Sequence, residues 1–246
     1  MAKGFNSRAT ISSQSGTTGL GQGSAAYHAG LRSYMLSVYN YMASGVLLTG
    51  IVALLFANSG MAAQILGDPG ILKYVIMFAP LAFVLVLSFG INRLSTGTAQ
   101  LLFWAFATMM GLSMASIFLV YTGTSIATTF FAAAAAFAGL SLFGYTTKKD
   151  LSGIGTFLIM GVVGLLVAMI INIFLQSSAM QMAISFIGVL LFAGLTAYDT
   201  QRIKSLYFEV AGTDMIGKTV IMGALSLYLD FVNMFSFLLQ FMGQRR

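Results

Sequence analysis

Seven apolar stretches of roughly the length that crosses a bilayer core of about 30 Å follow one another along this chain, with only short polar breaks between them. They are placed at Ser37–Phe56, Val75–Gly90, Ala99–Tyr121, Ser125–Gly144, Thr156–Phe174, Met182–Gln201 and Val220–Met242. In hydrocarbon every backbone polar group must be satisfied internally, so each stretch must be a helix. The expected fold class is an all-α integral membrane protein, a seven-transmembrane helix bundle. The second stretch is short and contains Pro80, which predicts a kink. Asp68, Pro69 and Gly70 predict a turn just before it.

Composition agrees with lipid as the solvent. Of 246 residues, 58% are hydrophobic and 7% charged, against about 25% charged in soluble domains. The net charge of +6 carries no basic stripe interleaved with aromatics, so nucleic acid is not an expected partner. The chain has no cysteine, which removes disulfides and thiolate chemistry. Its single histidine, His28, precedes the first apolar stretch, so a histidine-based zinc site or Ser–His dyad inside the membrane is not available.

Residues 1–33 are rich in Gly, Ser, Thr and Gln and are expected to form a disordered N-terminal tail, with the transmembrane domain over residues 34–246. Loop charges set the orientation. With a cytoplasmic N-terminus, that side collects Lys3, Arg8, Arg32, Arg93, Lys148, Lys149, Arg202, Lys204 and Lys218, and the other collects Lys73, Arg245 and Arg246. Nine against three favours N-in. An odd number of spans then puts Arg245 and Arg246 outside against the rule, so either the tail is an exception or one segment is re-entrant. Small residues four apart (Gly111/Ala115, Ala135/Gly139, Gly164/Ala168, Ala193/Ala197) are expected to let helices pack closely.

Two acidic residues stand inside apolar stretches: Asp230 about ten residues into the last, and Asp199 near the end of the sixth. A carboxylate at bilayer depth costs about 2.5–3.5 kcal/mol on insertion scales, which marks these positions as functional. From the helical rise, Asp199 is expected roughly 5–8 Å from the cytoplasmic boundary and Asp230 about 10 Å deep. Their helices are consecutive and antiparallel, so the two carboxylates are expected to face each other and to titrate as a unit. Arg93, between the second and third spans, is a candidate counter-ion; it can equally be a loop residue snorkelling to the headgroups. Two aspartates alone make an incomplete, weak calcium site, since Ca²⁺ takes six to eight oxygens. Gln201, Asn233, backbone carbonyls or water would have to supply the rest.

The segment from Gly194 to Ile203, Gly-Leu-Thr-Ala-Tyr-Asp-Thr-Gln-Arg-Ile, resembles the Tyr-Asp-Thr-Gln signature of the Bax inhibitor-1 family. The segment Leu227-Tyr228-Leu229-Asp230-Phe231-Val232-Asn233-Met234-Phe235 is similar to that family's last-helix motif, with Met234 in place of the common Leu. The resemblance implies a bundle in which the last helix is central, in a bacterial inner membrane. It implies a pH-sensitive calcium leak with Asp199 and Asp230 as the sensor, Arg93 as a latch, and Ca²⁺ as a passing ion rather than a cofactor. It also implies a second role, as a non-conducting partner or regulator of a membrane-anchored AAA protease or of a stress response, and leaves the choice open.

No enzymatic activity is expected. An intramembrane aspartyl protease also carries Tyr-Asp and a second Asp on the next helix, but it needs Gly-x-Gly-Asp where this chain has Leu227-Tyr228-Leu229-Asp230, and a Pro-Ala-Leu motif that is missing. A retinal photoreceptor needs a lysine on the last helix, and none lies between Thr219 and Met242.

Overall fold

The computed structural model describes residues 18–67 and 70–246. Eight helices account for nearly all of them: α1 (Thr18–Asn58), α2 (Met61–Gly67), α3 (Ile71–Gly90), α4 (Thr96–Val120), α5 (Gly123–Thr146), α6 (Ser152–Leu175), α7 (Ser178–Val210) and α8 (Ile216–Met242). All but α2 are long and apolar enough to cross a membrane, which gives the seven expected spans. The short α2 bridges α1 and α3 and buries Ala62. Asp68 and Pro69 of the expected turn lie outside the described residues. The helix α3 continues through Pro80.

Residues 1–17 of the expected tail also lie outside the described residues, whereas 18–33 belong to α1. Leu31, Tyr34, Met35 and Val38 explain why the bundle begins before residue 34: they recur at helical spacing and all are buried. The polar residues between them mask that stripe in a running hydropathy reading.

Most spans bury little of themselves against protein. In α8, 72% of the most apolar window is buried, against 11–39% in the other six. The last helix is therefore the axis of the bundle, packed against α7, α1, α5 and α4. Tyr228, near its middle, is fully buried. Its ring meets Phe106 and Phe103 edge-on, with centroids 5.0 and 6.3 Å away. The Thr49 hydroxyl donates to the Ala107 carbonyl at 2.8 Å, which leaves the Tyr228 hydroxyl to donate to Thr49 at 2.6 Å. One buried polar chain thus joins α8, α1 and α4, and each of its groups is satisfied.

The small-residue pairs divide by environment. A Cβ on Gly111 would stand 2.7 Å from Val52 Cβ and 2.8 Å from the Thr49 carbonyl, so this glycine sets the close approach of α1 and α4. Gly139 and Gly164 meet nothing within 4 Å, so neither glycine sets a close helix approach. Ala197 does pack closely, but its partner is Gly144, where an added Cβ would collide with the Ala197 backbone.

At the far end, the C-terminal residues are tied down. Thr122 N–H donates to the Gln244 carbonyl at 3.1 Å and Arg246 N–H to the Val120 carbonyl at 2.9 Å, in an antiparallel bridge pairing Tyr121 with Arg245. The seven spans are all complete crossings by length. The two arginines sit where an odd span number sends them, anchored to the α4–α5 turn.

Candidate functional site at the α7–α8 crossing

Asp199 lies on the α8-facing side of α7, beside buried Leu195, Thr196, Thr200 and Ile203. Asp230 stands at the middle of α8, beside Leu227, Phe231 and Met234. Both are buried, at 8% and 4% exposure. Asp230 lies within electrostatic reach of Asp199 and of Arg202. The crossing therefore holds two carboxylates and one cation. Among the described residues no third His, Cys, Asp or Glu joins them.

Both carboxylates stand well inside their helices. The helix α7 runs roughly 16 Å past Asp199, and α8 begins roughly 21 Å before Asp230. The length of α7 past Asp199 comes from the amphipathic stretch Ile203–Val210, where Ile203 and Tyr207 are buried and continue the helix beyond the apolar run.

Arg202, not Arg93, is the cation of this site. The Arg202 Nη2 atom lies 3.4 Å from Asp199 Oδ1 and donates to the Ser226 hydroxyl of α8 at 3.2 Å. Its guanidinium also lies over the Tyr198 ring, 5.8 Å from the centroid. One side chain thereby fastens α7 to α8 one turn from Asp230. The spacing that produces it is i, i+3 on one helix, a signal present in the sequence.

Arg93 is exposed in the α3–α4 loop. That loop meets the start of α8, where Lys218 Nζ donates to the Asn92 carbonyl at 3.5 Å. Lys218 lies roughly 18 Å along the helix axis from Asp230, so in this conformation Arg93 does not pair with either carboxylate. Asp230 Oδ2 is buried and has no hydrogen-bond partner among the described residues.

Of the two possible supporting ligands, Gln201 has both amide atoms engaged elsewhere and Asn233 only its NH2 group. Gln201 points to the α5–α6 loop, where its Oε1 accepts from Leu151 N–H at 2.9 Å and its Nε2 donates to the Lys149 carbonyl at 2.8 Å. Asn233 donates its amide to the Leu229 carbonyl one turn back, at 2.8 Å. In the same loop, the Ser152 hydroxyl and N–H both donate to Asp150, which holds that carboxyl below its ordinary value of 3.8. This contribution to stability is present above the ordinary value and is lost as pH falls through the lowered folded one.

Gln201→Leu is therefore expected to cost about 1–3 kcal/mol of stability by breaking two hydrogen bonds. Thermal melting in detergent should fall while the pH dependence of any ion flux stays as in the parent. A displaced pH profile in a well-folded variant would return Gln201 to the ion site.

A second polar chain flanks the carboxylates. Thr200 donates to the Thr196 carbonyl at 2.8 Å, so the Ser141 hydroxyl donates to Thr200 at 2.9 Å and the Tyr39 hydroxyl to Ser141 at 2.7 Å. It links α1, α5 and α7 immediately beside Asp199. Sequence reading missed it because single hydroxyls on three separate helices carry no local pattern.

The family profile described as "Inhibitor of apoptosis-promoting Bax1" matches residues 31–246. An uncharacterised Rickettsia prowazekii protein is 47% identical over 218 residues, covering 88% of this chain and 92% of that one. An uncharacterised Caulobacter vibrioides protein is 48% identical over 230 residues, covering 89% and 91%. The Escherichia coli inner membrane protein YbhL is 44% identical over 220 residues, covering 89% and 94%. With the profile match spanning the whole bundle and three bacterial relatives above 40% identity, this chain is a membrane protein that belongs to the Bax inhibitor-1 family.

Proposed function

We propose that this chain is a pH-sensitive calcium-leak channel, with Asp199 and Asp230 as its proton sensor and Arg202 as the latch that holds the α7–α8 crossing shut. The observation that carries the reading is the imbalance at the crossing: two buried carboxylates, one cation, and a carboxylate oxygen with no hydrogen-bond partner among the described residues. A buried charge without a full set of partners is costly, so the site sits close to a change of state. Adding a proton weakens the Asp199–Arg202 pair within α7 and so loosens the hold that keeps the guanidinium on Ser226 of α8. The remaining negative charge attracts Ca²⁺ as a passing ion. With only two carboxylates, binding is weak, as a leak requires.

The test is purified protein alone in liposomes loaded with a calcium dye. Flux that changes with pH supports the reading. No Ca²⁺ flux at any pH would remove it and leave the regulatory role that the sequence resemblance also implies.

We further place the N-terminus in the cytoplasm of a bacterial cell, on the loop charges. The start of α1 and the α3–α4, α5–α6 and α7–α8 loops share one end of the bundle, the end that holds Arg32, Arg93, Lys148, Lys149 and Lys218. Because the chain has no cysteine, single substitutions can be labelled without background. Ser152 and Ser178 are both exposed, at opposite ends. In intact cells an impermeant thiol reagent should spare Ser152→Cys and label Ser178→Cys. The reverse pattern would invert the topology.

A further inference from the structure

We propose that the groove between α1 and α5 is a binding site for one anionic glycerophospholipid, its acyl chain lying in the groove and its phosphate against Arg32. The groove has a volume of about 880 Å³. One wall is α1, with Met35, Met42 and Ala43; the other is α5, with Ala134 and Ala138; Phe231 of the central helix lies behind them. The two helices that frame it touch through the Tyr39–Ser141 hydrogen bond and are otherwise held apart by the groove. The groove continues past Val46, Phe130 and Phe231 into a second cavity of about 330 Å³ beside Thr49.

Three features select the occupant. Both walls are membrane-crossing helices, so the medium at the opening is lipid tails rather than water. Two of the few polar side chains on the walls are already spent, since the Tyr39 and Ser141 hydroxyls bond to each other. Between Met35 and Phe130 the lining is otherwise almost all hydrocarbon, which suits a chain without donors or acceptors. Arg32 lines the mouth, is exposed, and forms no ion pair among the described residues. A guanidinium at the headgroup end of an apolar groove is the complement of a lipid phosphate. From Arg32 to Val46 the groove runs roughly 21 Å, longer than the roughly 15 Å half-thickness of a bilayer core, so a whole acyl chain fits.

The measurement is native mass spectrometry of the full chain released from detergent after equilibration with equimolar phosphatidylglycerol and phosphatidylcholine of identical acyl chains. Wild-type protein should retain one lipid, with phosphatidylglycerol preferred about fivefold, the ratio expected from one arginine near the membrane surface. Arg32→Gln should bring that ratio near one. Ala43→Phe and Ala138→Phe fill the groove from opposite walls at exposed positions, so melting temperatures near the parent's should accompany loss of the retained lipid. A wild-type spectrum without lipid, an equal ratio of the two lipids, undiminished retention in both filled variants, or a lipid-free dimer would each overturn the proposal.

Discussion

Arg202→Gln is expected to raise the resting Ca²⁺ leak of reconstituted protein at alkaline pH about fivefold, while Arg93→Gln leaves it unchanged. The contrast rests on geometry. Arg202 touches Asp199 on its own helix and Ser226 on the next, so its removal deletes a tie across the α7–α8 crossing. Arg93 lies in a loop at the far start of α8. The Arg202 side chain is 42% exposed, so solvent screens the pair and its worth is about 1 kcal/mol rather than the several expected of a buried one. About 1 kcal/mol on a closed–open equilibrium is roughly a fivefold change in the open population. Arg202→Lys should fall between, because an ammonium keeps the charge but not the fork that reaches both partners. If Arg93→Gln raises the leak and Arg202→Gln does not, the latch belongs to another conformation than the one described here.

Much of this geometry is legible in the order of residues. The seven spans follow from run length and the absence of charge, and the juxtaposition of Asp199 and Asp230 follows from their place on consecutive antiparallel helices. Both are statements about periodicity and connectivity, which a sequence carries openly. What it hides is partner choice among chemically equal candidates. Arg93 and Arg202 are each one arginine at the same end of the bundle; the i, i+3 spacing favours Arg202, but where the α3–α4 loop meets α8, which keeps Arg93 away, is not written in the order of residues. Gln201 and Asn233 show the same limit: each neighbours an aspartate in sequence, yet the helix turns one toward the α5–α6 loop and lets the amide NH2 of the other bond its own backbone. The small-residue pairs show the limit again. Gly111 sits against α1 while Gly139 faces open space, although both belong to the same pattern.

The start of α1 was obscured by composition. Its polar residues suggest a tail, but a buried stripe of every third or fourth residue is enough for a helix to pack. Gly144 against Ala197 was missed because small-residue spacing is a property of one helix, and this contact is made of one residue from each of two.

Asp199→Asn and Asp230→Asn are each expected to flatten the pH dependence of Ca²⁺ flux. The double variant should add little beyond the stronger single one. On the proposed reading, alkaline conditions leave Arg202 paired and the crossing closed in the parent. As pH falls, the first proton weakens that pair and relieves the repulsion between the carboxylates, so flux rises. The second proton removes the charge that attracts Ca²⁺, so flux falls again and the profile is bell-shaped, with two apparent midpoints that belong to the pair rather than to either residue. Asparagine keeps the size of aspartate but cannot change charge, so each single variant deletes one limb of the bell. Asp230→Asn should have the larger effect, because Asp230 is the more deeply buried and has an oxygen with no hydrogen-bond partner among the described residues. Residues that act as one unit have effects that do not sum, and the cycle over both singles and the double measures that coupling directly. Strictly additive effects in well-folded variants would show two independent groups, and the paired-sensor reading would then fail even if each residue matters alone.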